Sequence, residues 1–228
     1  MIYNNPALWQ RKQIDPVFAN NSWEEIIAAC QSGNVPDSWA VGNSKAMTIN
    51  GTDYQIDIIG KNHDTYTAGG TAPLTFQMHD CYGETKNMNS SNTNSGGWTS
   101  CAMRSTHLPV ILSLMPTEVQ NGIREVNKLT SAGSQSDTIN TTADKLFLLS
   151  EIEIFGSVSY SKSGEGTQYD YYKAGNSKVK NYSGSANPWW ERSPHGRSSA
   201  RFCLVNSSGN AYYSNASVAY GVAFGFCF

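Results

Sequence analysis

The last forty residues, WWERSPHGRSSARFCLVNSSGNAYYSNASVAYGVAFGFCF, alternate between two kinds of material, and that contrast constrains the fold more than any other feature of the chain. Trp189, Trp190, Pro194, Phe202, Cys203, Val205, Phe224, Phe226 and Cys227 are bulky or conformationally fixed, whereas the middle consists of Ser, Asn, Gly, Ala, Tyr and Arg. RFCLVN, a Ser207-Ser208-Gly209 turn and NAYY read as strand, turn and strand, and YGVAFGFCF reads as a closing strand. The chain therefore frames an adaptable segment with a rigid one.

The rest of the sequence is able to supply such a frame. With 228 residues, 39% hydrophobic and 11% aromatic, the chain is long enough to bury a core without staples. Charged residues are only 15%, below the roughly 25% of ordinary soluble proteins, and polarity comes instead from 28 Ser and 21 Asn. A net charge of −2 gives no basic footprint, so nucleic acid is not expected as a partner. The start, MIYNNPALWQRKQIDP, lacks the apolar stretch of a signal peptide, and no long apolar run predicts membrane insertion. Synthesis in a cytoplasm is the expectation, and five cysteines, an odd number, fit free thiols better than a disulfide framework.

Residues 1–21 read as an extended arm with apolar anchors Leu8, Trp9, Val17 and Phe18, suited to contact with another subunit or a larger assembly. Residues 22–228 read as one domain, with a variable binding segment over 189–228. Ser22 and Glu25 form a capping-box pattern that opens a short helix closed by Gly33, and Asn50-Gly51 predicts a hairpin with Tyr54, Ile56 and Ile58 on one face. LTFQMHDC reads as a strand and MNSSNTNSGG as a polar loop. Leu108, Val110, Ile111 and Leu114, then Val119, Ile123 and Val126 after Pro116, predict a helical pair. DKLFLLSEIEIFG is apolar enough to be buried as strand, helix or both, and the Ser-, Gly- and Tyr-rich stretch from Gly156 to Ala186 reads as a surface excursion. No repeat of 20 to 50 residues is evident. The fold class is α+β, with helices early, long loops, and a small antiparallel sheet assembled largely from late segments.

The chemistry is sparse. His79, Cys81, Cys101 and His107 are the right types for tetrahedral zinc, but their spacing matches no compact zinc motif, and buried thiols with hydrogen-bonded histidines are the favoured reading; no cofactor is expected. No nucleophile elbow, phosphate loop, dinucleotide fingerprint or zinc-protease motif is present. Trp189 and Trp190 read as core in preference to a ligand platform. Arg192 suits a structural pairing with a carboxylate such as Glu191 or Glu151. Cys203 and Cys227 read as lying on neighbouring strands.

FQMHDC, the MN…TN.GGW stretch, DKLFLLSEIEIFG, GEGTQYDYY, WWERSP, RFCLVNSSG and GVAFGFC, in this order over about residues 40–228, resemble the bacterial and prophage family DUF6273. The resemblance implies a C-type-lectin-like (formylglycine-generating-enzyme-like) domain, whose small sheet brings first and last strands together, and a kinship with the variable proteins of diversity-generating retroelements. It implies a virion-tail protein, binding a host cell-surface protein or glycan, with other phage tail proteins as partners and a homotrimer as the common assembly. Adenine-directed diversification of Asn codons yields Ser, Gly, Arg, His, Tyr and Asp, the palette of residues 195–217. The ligand-binding residues expected on this basis are His195, Arg197, Ser198, Arg201, Asn206, Asn210, Tyr212, Tyr213, Asn215 and Tyr220. A solvated hairpin with Asn and Ser turns is the plainer alternative for the same segment.

The leading expectation is thus a non-enzymatic receptor-binding protein. The other class is a formylglycine-generating-type oxidoreductase, which requires two reactive cysteines and copper, and Cys203 and Cys227 carry no flanking His or Lys to lower a thiol pKa. A lectin-like module is a further alternative, although the calcium-ligand signatures of sugar-binding C-type lectins are absent.

Overall fold

Local chemistry fixes the early elements of the computed structural model, which describes residues 14–228. Helix α1 (Trp23–Ser32) opens on a full capping box, in which Ser22 Oγ accepts from the Glu25 amide at 3.2 Å and the Glu25 carboxylate accepts from the Ser22 amide at 2.7 Å. Asn50 and Gly51, at φ 49° and 77°, join β1 (Ser44–Ile49) to β2 (Thr52–Lys61). Positive φ at both central residues matches the right-handed twist of paired strands. LTFQM forms β3 (Leu74–Met78), buried along its whole length.

After β3 come α2 (Gly97–Ser100), a π-helical turn (Met103–His107), α3 (Leu108–Ser113), α4 (Thr117–Gly122), β4 (Val126–Ser131) and β5 (Ile139–Asp144). Then follow α5 (Glu151–Phe155), α6 (Asp170–Lys173), β6 (Lys180–Tyr182), β7 (Ser185–Asn187), β8 (Trp189–Pro194), β9 (Arg201–Val205), β10 (Ala211–Asn215) and β11 (Gly225–Cys227). The protein is α+β, with an antiparallel four-stranded sheet in the order β1-β2-β3-β11 and an antiparallel three-stranded sheet in the order β10-β9-β8.

Three expectations need correction. The larger sheet is built mostly from early segments, because the Asn50-Gly51 hairpin and β3 are joined by only one late strand, β11. Val126 starts β4 and does not extend a helix, since α4 stops at Gly122 and Ile123 is already extended. The stretch 156–186 is not a surface excursion throughout: Glu165, Tyr169 and Tyr172 are buried, and the two tyrosines hydrogen-bond inward to Asp64 at 2.8 Å and Gln77 at 2.6 Å.

The core gathers around the end of the chain. Phe226 stacks on Phe76 at 5.3 Å, Phe228 lies 5.3 Å from Phe76, and Phe18 meets Trp39 edge-on at 5.4 Å. Part of the segment read as an arm, through Phe18, therefore lies in the core, while Val17 is exposed; Leu8 and Trp9 lie outside the described residues. The terminal strand β11 pairs with β3 on one side and forms bridges with Arg124 and Phe147. β1 is separated from β11 by two strands.

Candidate binding face

The candidate face begins with what lies beneath it. Every residue of β8 is buried, including Glu191 and Arg192. Burying a guanidinium is tolerable only with partners, and Arg192 has them: its Nη2 donates to Glu153 Oε1 at 2.9 Å, its Nη1 to Glu153 Oε2, and further bonds run to Thr130 and to the Leu129, Leu148 and Glu165 carbonyls. Its partner is thus Glu153, not Glu191 or Glu151 as the sequence suggested, because the Ser150–Glu153 capping box of α5 aims Glu153 inward. Lys128 extends the network, at 2.8 Å from both Glu153 and Asp64. Burial opposes ionisation of Asp64, but Lys128 outweighs it and holds the carboxyl down at about 2. Two cations and two carboxylates from separate elements tie β4, α5 and β8 into one frame.

Glu191 is the exception. Neither of its carboxyl oxygens has a hydrogen-bond partner, and burial, reinforced by Glu151 and Glu165, holds its pKa well above the usual range. Burial likewise pushes Glu165 up to about 7. A raised pKa in the folded state means that the protonated form is the one folding favours, so this contribution is complete below the ordinary carboxylate range and is lost as pH rises through about 7. Glu191→Met removes one such group, and the variant is expected to lose less stability than the parent between pH 5 and pH 9 in thermal melts. Parallel melting-temperature profiles would refute the assignment.

Above this frame, β9 and β10 form a hairpin closed by an Asx turn. Asn206 Oδ1 accepts from the Ser208 amide at 2.9 Å and the Asn210 amide at 3.0 Å, and Gly209 takes φ 80°. The neighbouring loop, 195–200, is clamped by buried Asn94, whose Nδ2 donates to the Ser198 and Arg201 carbonyls, each at 2.7 Å. Both loops are therefore held by side chain-to-backbone bonds, which leaves their other side chains free to vary.

The predicted residues divide by burial. Arg197, Asn210, Tyr212 and Asn215 are exposed, with Tyr212 50% accessible. Ser198, Arg201, Asn206, Tyr213 and Tyr220 are half-buried. His195 is buried, 7% accessible, contrary to its expected exposure: its Nδ1 accepts from the Arg197 amide at 3.0 Å, its ring meets Tyr213 at 4.5 Å, and burial, with Arg201 nearby, lowers its pKa. Asn206 serves the turn, and Tyr220 packs edge-on against Trp190 at 5.2 Å. Tyr213 is stacked on Tyr212 at 5.1 Å, meets the edge of Tyr160 at 4.9 Å, and lies under the Arg201 guanidinium at 4.9 Å. What results is an aromatic ridge with Tyr212 on the outside, flanked by Arg197, Arg201 and Asn215.

Sequence reasoning missed Tyr160 and Asn94. Tyr160 lies in the stretch read as a surface excursion, and its place is set by Glu151, which accepts from the Ser159, Tyr160 and Ser161 amides. The other candidates disperse: His79 bonds Asp57, His107 bonds Asn87, and Cys101 Sγ bonds the Trp98 carbonyl, so no metal-binding group forms among the described residues. Cys203 and Cys227 lie in different sheets and not on neighbouring strands. All five cysteines are buried free thiols.

A search of curated proteins and one of solved structures each returned no match. A family model described as a domain of unknown function, DUF6273, matches residues 66–227, from Tyr66 beside the Asp64 network to Cys227 in the last strand. With most of its length covered by that match, frame and hairpin included, the chain belongs to the DUF6273 family.

Proposed function

We propose that the protein is a non-enzymatic receptor-binding protein of a phage or prophage tail tip, with a C-type-lectin-like (formylglycine-generating-enzyme-like) domain over residues 22–228. It binds a host cell-surface protein or glycan through the aromatic ridge of β9 and β10 and the loops beside it. The observation that carries this reading is the split in burial within one hairpin. Phe202–Val205 and all of β8 are buried, whereas Arg197, Ser199, Ser207, Ser208, Asn210, Tyr212, Asn215 and Ser217 are exposed. Tyr supplies contact area at low entropic cost, and Ser, Asn and Arg supply adaptable hydrogen bonds. The exposed set also matches what retroelement mutagenesis of Asn codons produces, so diversification of this face is part of the proposal. So are the virion-tail location, the assembly role of residues 1–21, the core residue Phe18 apart, with other tail proteins, and a homotrimer.

β11 returns into the main sheet beside β3 and not beside β1, contrary to the expected pairing of first and last strands, so the lectin-like reading is supported by the family resemblance alone. An oxidoreductase is disfavoured on physical grounds. Burial drives the Cys203 and Cys227 thiols well above their usual pKa, which suppresses the thiolate that such chemistry requires. The test is attachment: fluorescently labelled protein should bind cells of the bacterium that harbours its gene, or of close kin, and unlabelled protein should compete. Absence of competable attachment across such a panel would refute the reading. A reverse-transcriptase gene and a near-copy of the 3′ end beside the gene would establish diversification.

A further inference from the structure

On the β1–β2–β3 side of the molecule, using none of the ridge residues, a cleft of about 180 Å³ is lined chiefly by Ser44, Gln55, Asp57, His79, Tyr171 and Asn176. At its centre is a constructed dyad. Asp57 is buried, 3% accessible, and its Oδ2 accepts from His79 Nδ1 at 2.7 Å, while the His79 side chain is 53% exposed. Tyr171 lies beside Asp57: burial, reinforced by that carboxylate, pushes its phenol up to about 12. The His79 backbone is held on both sides: its amide donates to the Gln55 carbonyl at 2.9 Å, and its carbonyl accepts at 2.9 Å from the ammonium of buried Lys180.

This geometry dictates what the cleft offers. Because Asp57 fixes the proton on Nδ1, Nε2 is left for an outside partner, donating when the ring is charged and accepting when it is neutral. The hydrogen bond to Asp57 raises the His79 pKa, which widens the range over which Nε2 donates. Ser44 donates to Gln55 Oε1 at 3.2 Å, which orients the Gln55 amide nitrogen as a donor. Asn176 donates one N–H to the Tyr171 carbonyl at 2.8 Å, which leaves its oxygen as an acceptor and its second N–H as a donor. Donors and acceptors both line a space well below the roughly 300 to 1,000 Å³ that holds drug-sized ligands. An anion would meet the Asp57 carboxylate and the Asn176 oxygen; a hydroxyl suits every one of these groups.

We infer that this cleft is a second binding site, independent of the ridge, that takes one ring of a neutral sugar, with Asp57 as the residue that positions His79. Saturation-transfer NMR on the full chain tests it, with D-glucose, D-galactose, D-mannose and N-acetyl-D-glucosamine as probes and D-glucuronate as the anionic comparison. At least one neutral sugar should receive saturation, His79→Gln should weaken its binding by about tenfold or more, and Tyr212→Ser should leave it unchanged. Should His79→Gln fail to melt like the parent, Asn176→Ala, at an exposed position, carries the same expected loss. The inference is overturned if none of the four neutral sugars receives saturation, if glucuronate binds more tightly than they do, or if the folded cleft variant binds as the parent does.

Discussion

Arg192→Met is expected to destabilise the protein by about 3 to 5 kcal/mol, the usual consequence of removing one partner of a buried ion pair. The side chain is fully buried, and its guanidinium binds both Glu153 oxygens and the carbonyls of Leu129, Leu148 and Glu165. Its loss leaves Glu153 with Lys128 as its remaining cation and takes a donor from three carbonyls, of which that of Glu165 keeps Ser150 Oγ at 2.8 Å. Adding Glu153→Met should recover part of the loss, because an apolar replacement of the whole pair leaves less charge uncompensated. Urea denaturation measures both, and a single variant within about 1 kcal/mol of the parent would mean that the network does not hold the frame together.

Trp190→Ala carries an effect of similar size, about 3 to 5 kcal/mol, for a different reason. The indole is fully buried, and its truncation opens a cavity between β8 and β9. It also takes from the Lys86 carbonyl the Nε1–H bond at 2.8 Å, leaving it the Tyr220 amide at 3.1 Å, and removes the edge contact that seats Tyr220. An unaltered melting temperature with lost ligand binding would instead make Trp190 part of the binding site.

Much of the frame was legible in the sequence because it rests on local rules. The Ser22–Glu25 box, the Asn50-Gly51 turn and the Pro116 helix start each place their cause within a few residues of their effect. Arg192 had its role read correctly and its partner wrongly, since sequence distance does not separate Glu153, 39 positions away, from Glu151 beside it, and only the α5 capping box turns Glu153 inward. The same distance hid Asn94, which serves carbonyls 104 and 107 residues downstream, and Tyr160, which reaches the ridge from a stretch rich in turn residues. His195 misled for another reason: residue type places it among diversified surface residues, but packing against Tyr213 and the bond from the Arg197 amide put it under the surface. Composition therefore outlined only a candidate segment, and burial decided which of its members point outward.

That distinction makes Tyr212 the position on which the account stands. It is the large side chain at the crest of the ridge, half accessible, with its ring on Tyr213 and its strand supported by β9. The most direct measurement is the attachment of Tyr212→Ser protein to the host cells, made beside a thermal melt of the same sample. The expected result is a folding cost within about 0.5 kcal/mol, as for other surface changes, together with a loss of attachment of about 2 kcal/mol or more, roughly thirtyfold in affinity. A variant that melts with the parent and attaches as tightly would place the receptor-binding face elsewhere on the molecule.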